Sequence, residues 1–151
     1  MLDDLDRRLL RRWQAEPSLS PADLAEDLGV SVGKISRRVT RMQETGVIEG
    51  VSAVIDWAAL GYAVEVSLRV TLDKTQSRAF DDFIEAARQV AEVTEIQTFL
   101  GRVDVRLNIV ARDMPHYQAI YRQQILTLPH IADIEALMQI ARIKGNEALP
   151  I

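Results

Sequence analysis

Residues 20–46 constrain the fold of this chain most strongly, because they predict two short helices joined by a very tight turn. Ser20 stands before Pro21, which combines a favoured N-cap with the residue favoured in a first helical turn. Gly29 is a natural end for that helix, and Ser31 can cap the next one after a single intervening residue. Two helices connected this closely have few ways of packing, and a helix-turn-helix is one of them.

Residue size at three positions fits a helix-turn-helix. Ala25 is small where the helices would cross, Gly29 lies at the turn, and Ile35 is apolar where the second helix is seated. A helix before them is predicted by apolar residues at helical spacing, namely Leu2, Leu5, Leu9 and Trp13. The pattern alone leaves two interpretations open, a DNA-binding unit and a plain three-helix packing unit with a solvated charged face.

The charge pattern of the third predicted helix favours the DNA-binding interpretation. The chain as a whole carries a formal net charge of −4, so any contact with DNA has to come from local clustering. Four basic residues fall within eight positions of this helix, and no acidic residue occurs between Ser31 and Gln43. At about 100° per residue, Arg37 faces away from the apolar stripe that contains Ile35. We therefore expect this helix to bind DNA, because a merely solvated face would mix charges of both signs.

The predicted DNA-binding residues lie along this helix, and each has an expected role. In a helix-turn-helix, the N-terminal part of the second helix lies in the major groove and its side chains meet base edges. Arg37 is placed for a bidentate contact with guanine, with Lys34 in support, and Gly33 lets the helix start approach DNA closely. Arg38 and Arg41 are placed for phosphates, which add affinity but little sequence information. The full predicted set is Ser31, Gly33, Lys34, Ser36, Arg37, Arg38 and Arg41.

Residues 47–56 alternate in polarity around Gly50, which predicts a small β-hairpin or wing, or one strand that leads into a linker. The boundary between two domains is expected at residues 57–61. This boundary separates a DNA-binding domain of residues 1–56 from a second domain of residues 62–151.

The second domain shows the periodicities of four strands and two helices. Alternation from Tyr62 to Leu72 is strict, with apolar residues on one face and polar residues on the other. The remaining segments follow in the order helix, strand, strand, helix, strand, at residues 76–91, 93–100, 103–111, 113–128 and 131–143. The order βαββαβ predicts a ferredoxin-like domain. The expected fold class is therefore α+β, with a winged helix-turn-helix domain followed by a ferredoxin-like βαββαβ domain.

One face of the predicted sheet is polar and leaves two interpretations open. The residues expected on it are Glu65, Ser67, Arg69, Asp104, Arg106, Asn108, Glu135, Leu137 and Gln139. Such a face is common in antiparallel sheets that face water on one side. It would also suit a dimer interface with ion pairs between arginines and carboxylates.

Several kinds of site and location find no support in the sequence. The chain has no cysteine, hence no thiolate metal site and no cysteine nucleophile, and we expect neither a cofactor nor a metal. His116 and His130 lack ligand or triad spacing, so we expect ordinary surface histidines and no catalytic residue. No apolar run is long enough to span a membrane, and the acidic N-terminus lacks the order of a signal peptide. We therefore expect a cytoplasmic protein.

Taken together, these segments resemble the Lrp/AsnC family, the leucine-responsive and asparagine-operon regulators of bacteria and archaea. The matching elements are Leu2-Asp3-Asp4-Leu5-Asp6-Arg7-Arg8-Leu9-Leu10, Leu24-Ala25, Leu28-Gly29-Val30-Ser31, Arg38-Val39, Met42, Gly46-Val47-Ile48, Asp56, Leu60-Gly61, Gly101-x-x-Asp104, Asp113-Met114 and Leu128-Pro129. The resemblance implies homodimers joined through the α/β domains, often assembled further into tetramers or octamers. It also implies palindromic or repeated sites on double-stranded DNA, and an amino acid or related metabolite bound between dimers.

The resemblance further implies an effector site at residues 100–104. Gly101 and Asp104 match the glycine–aspartate hairpin that the family carries near that site. Leu100 and Val103 depart from the family, because a small hydroxyl residue and an aromatic residue are frequent at these two positions. The implied effector-binding residues are Leu100, Gly101, Val103 and Asp104, and the departures bear on which effector is bound and on whether the protein responds to one. Taken alone, Gly101 indicates a tight turn and Asp104 a turn cap.

The expected function is that of a sequence-specific DNA-binding transcriptional regulator modulated by an amino acid or related small metabolite. One alternative is an architectural DNA-binding protein without effector response, which would show no sequence preference in DNA binding. A second is an enzyme, since sirohaem decarboxylases resemble the same two-domain architecture. Those enzymes carry histidine, tyrosine and arginine around the second strand of the α/β domain, whereas residues 93–100 contain none of the three. We therefore expect no enzymatic activity.

Overall fold

In a computed structural model, which describes residues 1–145 and 148–151, the chain folds into two compact units. The first unit comprises Met1–Val54 together with Lys144–Ile151, and the second comprises Ile55–Ile143. Among the described residues, no helix is both long enough and apolar enough to cross a membrane.

The last residues of the chain belong to a different unit from the one that the sequence suggested. The division after Val54 falls just before the predicted linker at residues 57–61, but Lys144–Ile151 pack with the first unit and not with the second. A segment this short shows no periodicity of polar and apolar residues. The unit that it joins therefore depends on contacts with residues far away in the sequence.

Three helices form the first unit: α1 (Asp4–Ala15), α2 (Pro21–Leu28) and α3 (Val32–Glu44). Each begins at a side chain that accepts a hydrogen bond from a backbone N–H three residues further on, which satisfies a donor that every helix start leaves unpaired. These N-caps are Asp3, Ser20 and Ser31. Helix α2 ends at Gly29, whose φ of +67° is the left-handed conformation that glycine adopts most readily.

The core of the first unit lies where the three helices meet. Its fully or nearly fully buried members are Leu9, Leu24, Ala25, Ile35 and Met42. The turn at Gly29 joins α2 directly to α3, so the helix-turn-helix predicted for residues 20–46 is confirmed.

Residues 47–56 form neither a strand nor a hairpin, which differs from the predicted hairpin, wing or single strand. The backbone N–H groups of Val47 and Ile48 both donate to the carbonyl oxygen of Met42, at 2.8 and 3.0 Å. These bonds close the C-terminal end of α3, and the Ile48 side chain packs against the helical core. Donors that a strand would offer to a neighbouring strand are therefore used to finish the helix.

The second unit contains four strands and two helical segments. The strands are β1 (Val64–Leu72), β2 (Val93–Thr98), β3 (Val105–Ala111) and β4 (Ile131–Met138). Helix α4 (Ala79–Ala87) lies between β1 and β2 in the chain, and α5 (Met114–Ile120) follows β3 and continues into a π-helical turn at Tyr121–Ile125.

The four strands form one antiparallel sheet in the order β2-β3-β1-β4. This order and the βαββαβ sequence of elements confirm the predicted ferredoxin-like arrangement. Val66, Leu68 and Val70 of β1 are buried on one face of the sheet, in a core shared with Phe83 of α4 and Ile120 of α5. Strict alternation in β1 thus translates directly into one buried and one polar face.

Strand β4 is shorter than predicted, since it ends at Met138 and not at residue 143. Met138 pairs with Val66 of β1, and the Gln139 N–H still donates to the Glu65 carbonyl oxygen at 2.9 Å. Because β1 begins at Val64, residues beyond Ile140 have no residue of β1 opposite them, so the strand cannot continue to residue 143 in this sheet.

The polar face of the sheet carries ion pairs within the chain. An Arg69 nitrogen lies 3.8 Å from a Glu135 oxygen, and an Arg106 nitrogen lies 3.3 Å from a Glu95 oxygen. Asp104 was expected on this face but is buried, with 8% of its surface exposed, because its carboxylate turns inward to the backbone of β1. Whether this face is solvated or forms a dimer interface stays a prediction.

Candidate nucleic-acid interface and effector loop

Helix α3 seats its apolar side on the core and leaves the predicted base-contacting side chains exposed. Ile35 and Met42 are fully buried, whereas Lys34, Ser36 and Arg37 are exposed. Lys34 and Arg37 are three residues apart and therefore neighbours on the helix surface, while Ser36 lies on the other flank. The first turns of α3 thus present two cations and a hydroxyl group to the outside.

The start of α3 is shaped by Ser31 and Gly33. The Ser31 hydroxyl oxygen accepts a hydrogen bond from the Lys34 N–H at 3.3 Å, so this predicted DNA-binding residue is also the N-cap of the helix. Arg37 folds back over Gly33, since a Cβ added at Gly33 would lie 3.8 Å from Nη1 of Arg37. Apart from the chain neighbours of Gly33 and the backbone of its own helix, no other atom lies within 4 Å of that position.

The two arginines predicted to bind phosphates are engaged with carboxylates of the first helix. Nη1 of Arg38 lies 2.6 Å from Asp3 Oδ1 and 2.7 Å from Asp6 Oδ1. Nη2 of Arg41 lies 2.5 Å from Asp6 Oδ2. The Arg38 side chain is only 17% exposed, whereas that of Arg41 is 50% exposed. Arg38 is therefore largely withdrawn from the surface, while Arg41 keeps half of its side chain accessible.

Hydrogen bonds from Arg38 and from backbone N–H groups lower the pKa of both carboxyl groups. The Arg38 guanidinium and the Asp6 backbone N–H lower the pKa of Asp3 to about 2. Burial alone would raise the pKa of Asp6, but the hydrogen bonds from the Asp3 backbone N–H and from Arg38 outweigh it, and the pKa is lowered. Bonds to Asp3 and Asp6 in turn raise the pKa of Arg38. Asp3, Asp6 and Arg38 are thus held in their ionised forms at neutral pH.

Sequence reasoning did not identify Asp3 and Asp6 as part of the site. Their spacing of three residues fits an N-terminal capping box, and the box is present: each carboxylate accepts the backbone N–H of the other residue, at 2.9 and 3.0 Å. That local role accounts for both acids in the sequence. Their second role, toward Arg38 and Arg41, is visible only once the helices are packed.

The predicted effector residues form the connection between β2 and β3. Leu100 and Gly101 are exposed, and Val103 is partly buried. Asp104 is buried: its Oδ2 accepts the Leu72 N–H at 2.8 Å, and its Oδ1 lies 3.0 Å from Nζ of Lys74. Burial would raise the pKa of Asp104, but the bonds from the Leu72 N–H and Lys74 outweigh it, so the pKa is lowered. Asp104 therefore anchors the loop to the end of β1 as a charged group.

Backbone and side-chain bonds fix the rest of this loop against the same strand. The Asp104 N–H donates to the Val70 carbonyl oxygen at 3.0 Å, and the Thr71 hydroxyl donates to the Arg102 carbonyl oxygen at 2.9 Å. With its base held in this way, the loop presents Leu100 as a completely exposed apolar side chain.

Both histidines of the second unit have polar partners. Nδ1 of His116 accepts the Arg112 N–H at 3.1 Å, and Nε2 of His130 lies 3.0 Å from a carboxylate oxygen of Asp82. No group of three or more potential metal-ligating side chains occurs among the residues that the structure describes.

Two family models match the chain. The Lrp/AsnC ligand binding domain matches residues 65–149, and a winged helix-turn-helix DNA-binding domain matches residues 2–49. Among curated relatives, the HTH-type transcriptional regulator Zrp of Zymomonas mobilis is 30% identical, over 99% of this chain and 97% of its own length. The leucine-responsive regulatory protein of Klebsiella pneumoniae is 26% identical, over 99% of this chain and 92% of its own length.

Solved structures match this chain over nearly its whole length. An AsnC family transcriptional regulator from Agrobacterium tumefaciens is 31% identical with a TM-score of 0.88, covering 99% of this chain and 97% of that one. A transcriptional regulator from Neisseria meningitidis in complex with L-methionine has a TM-score of 0.91 over 99% of this chain and 97% of that one; at 21% identity it shows the fold alone. The matched ligand binding domain covers more than half of the residues, and the aligned relatives cover nearly all of them. The chain belongs to the Lrp/AsnC family and is a DNA-binding transcriptional regulator with a ligand-binding domain.

Proposed function

We propose that this regulator reads its operator with the outer face of α3 and responds to an amino acid or a related small metabolite. The observation that carries the first part is the exposure of Lys34 and Arg37 at neighbouring positions near the N-terminal end of a capped helix. In helix-turn-helix proteins this end of the second helix enters the major groove.

The predicted set divides into base-reading and supporting residues. Arg37 is the base reader, because its guanidinium is exposed and lies over the side-chain-free surface of Gly33. A bidentate contact to guanine contributes about 1–3 kcal/mol of discrimination. Lys34 and Ser36 support that contact, and Ser31 caps the helix at the DNA surface.

Arg41 retains the phosphate role, since half of its side chain stays exposed. Arg38 does not, because its guanidinium is enclosed between Asp3 and Asp6. The proposed DNA-contacting set is therefore Ser31, Gly33, Lys34, Ser36, Arg37 and Arg41, with Arg38 as an internal support.

The effector is proposed to bind beside the loop of residues 100–104. The match to a ligand binding domain supports a small-molecule ligand, and the L-methionine bound to the Neisseria regulator of the same fold supports an amino acid. Leu100 is fully exposed, so a closed pocket at this loop needs a second surface. A neighbouring subunit would supply it, in a dimer joined through the α/β units or in a larger tetramer or octamer. Because it belongs to a family of DNA-binding regulators, the protein is expected to act in the cytoplasm.

Binding to the protein's own upstream DNA tests the operator-reading proposal. Fluorescence anisotropy compares that DNA with random DNA of equal length, at two salt concentrations, for the wild type and for Arg37→Ala. The proposal requires a preference for the upstream DNA that the substitution abolishes. Affinity for all DNA alike, with steep salt dependence, would instead indicate an architectural DNA-binding protein.

Calorimetric titration with the common amino acids tests the effector proposal. The expected result is binding of one amino acid, or one chemical group of them, that Leu100→Arg weakens by placing charge in the pocket. The proposal would be wrong if no amino acid or related metabolite bound and none of them changed the affinity of the protein for DNA.

A further inference from the structure

We propose that Asp6 is a positioning residue for DNA recognition: its buried carboxylate joins Arg38 and Arg41 of α3 to α1 and so sets which side of α3 faces DNA. The inference rests on the proposed reading of DNA by α3. It goes beyond that reading in two ways. Asp6 lies on a different helix and does not contact DNA, and Arg38, which the charge pattern assigns to phosphates, is instead an internal partner of Asp6.

The Asp6 carboxylate is shared between three donors. It is completely buried, and its Oδ1 lies 2.7 Å from Nη1 of Arg38 while its Oδ2 lies 2.5 Å from Nη2 of Arg41. The same Oδ2 accepts the Asp3 N–H at 3.0 Å. A buried carboxylate needs such partners, because an unpaired one carries a large desolvation penalty.

Attachment at two points is what fixes the rotation of α3. Arg38 and Arg41 are three residues apart and therefore lie side by side along the helix, and one carboxylate holds both. Turning α3 about its axis would break at least one of these bonds and leave a charge buried without its partner. Lys34 and Arg37, on the outer side, are thereby held in one orientation.

The cluster also decides how many cations the helix offers to phosphates. Asp3 adds a second carboxylate to Arg38, at 2.6 and 2.7 Å, so two acids surround this one guanidinium. A buried or shared cation releases few counterions from DNA, and each phosphate contact steepens the dependence of log K on log salt by about 0.9. The wild type should therefore show a shallower salt dependence than four free cations on α3 would produce.

The test compares Asp6→Asn with the matched control Asp4→Asn, which removes the same charge from an exposed position in the same helical turn. Affinities for upstream and random DNA are measured over a range of salt concentrations. Asp6→Asn is expected to lower the preference for upstream DNA about tenfold or more, as a lost base contact would. Its salt slope should steepen by about one, since Arg38 then keeps only the half-exposed Asp3 as a partner, and a phosphate can displace so weak a pair. The control should change neither quantity beyond its net charge effect.

Two further variants separate positioning from simple loss of stability. In Asp6→Asn/Arg38→Gln the released cation is gone, so the salt slope should return toward the wild-type value. Asp3→Asn changes the half-exposed member of the cluster and provides the test if Asp6→Asn does not fold. It is expected to show the same changes in smaller measure. Circular dichroism and thermal melts confirm that each variant is folded at the temperature of the binding assay.

The outcomes distinguish this inference from the function on which it rests. A wild type without preference for upstream DNA would overturn both. A wild type that prefers upstream DNA, with folded Asp6→Asn and Asp3→Asn variants that match Asp4→Asn in preference and salt slope, would overturn only the role of Asp6. Loss of preference with an unchanged slope would also count against it, because the arginines would then not have been released.

Discussion

Gly33 lies in the first turn of α3, where alanine would favour the helix more than glycine does. An added Cβ would meet only Nη1 of Arg37, at an ordinary contact distance of 3.8 Å. The backbone at this position is helical, so no left-handed conformation requires glycine there. A glycine here is what the proposed close approach of DNA to the helix start would require.

Replacing Gly33 with alanine is therefore expected to stabilise the protein and weaken its binding to operator DNA. The free energy of unfolding should rise by up to about 1 kcal/mol, because glycine loses more conformational freedom than alanine on folding. Urea unfolding and anisotropy on the same preparation measure the two effects. Gln43→Ala, at an exposed position near the other end of α3, serves as the control. Operator affinity that is unchanged or increased in Gly33→Ala would contradict the close-approach role.

At the residue scale, local patterns predicted the exposed side of α3 but not its attachment. The exposure of Lys34 and Arg37 follows from helical geometry alone, since the apolar stripe of α3 defines the buried side of the helix. The partners of Arg38 could not be predicted in this way, because Asp3 and Asp6 lie 35 and 32 positions away in the sequence. The charge pattern of the sequence therefore overestimates the unpaired positive charge of α3, because it includes Arg38, which is paired with two carboxylates.

At the scale of elements, helix and strand starts were the most predictable features. Ser20, Ser31 and Gly29 act as the caps expected of them, because capping depends on residues within one turn. The segment at residues 47–56 was less predictable, since alternation indicates a strand only where a partner strand is present. The first two backbone N–H groups of this segment donate to the carbonyl oxygen of Met42, and the segment is irregular.

The loop between β2 and β3 depends on the Asp104 carboxylate, and this dependence is testable. Asp104→Ala should lower the free energy of unfolding by about 1–3 kcal/mol, because the buried N–H of Leu72 loses its acceptor. Lys74→Ala is the matched control: this side chain is 67% exposed, and such a pair contributes less than about 1 kcal/mol. Urea unfolding of both variants measures the difference. An Asp104→Ala variant as stable as the wild type would show that Asp104 is not an anchor of the loop.

At the scale of the whole molecule, the order of elements was predictable and the course of the tail was not. Each element of the βαββαβ order carries its own periodicity, whereas residues 148–151 are placed by contacts with α1. Nε2 of Gln14 donates to the Leu149 carbonyl oxygen at 2.7 Å, and the Leu149 N–H donates to Gln14 Oε1 at 2.9 Å. Nε of Arg11 donates to the Ile151 carbonyl oxygen at 2.5 Å.

These contacts predict that the tail stabilises the first unit. A chain that ends at Ala148 should unfold at lower urea concentration, since each lost hydrogen bond contributes about 1 kcal/mol. Trp13 reports on this unit by its fluorescence, and Trp57→Phe removes the other tryptophan, which lies in the second unit. Gln14→Ala in the full-length chain should give part of the same shift. An unchanged midpoint in the truncated chain would show that the tail does not contribute to stability.

A scan of the operator with the wild type and Arg37→Ala shows directly whether Arg37 on α3 reads a base. Each base pair of one half-site is replaced in turn, and affinities are measured at constant salt. Arg37→Ala is expected to lose about 1–3 kcal/mol of discrimination at a single G·C pair and to keep the wild-type discrimination at the other base pairs. Arg41→Ala removes a proposed phosphate contact and one of the two bonds between α3 and Asp6, so it should weaken binding without confining the loss to a single base pair. The claim would be contradicted if Arg37→Ala also weakened every sequence equally and left the base preferences of the wild type intact.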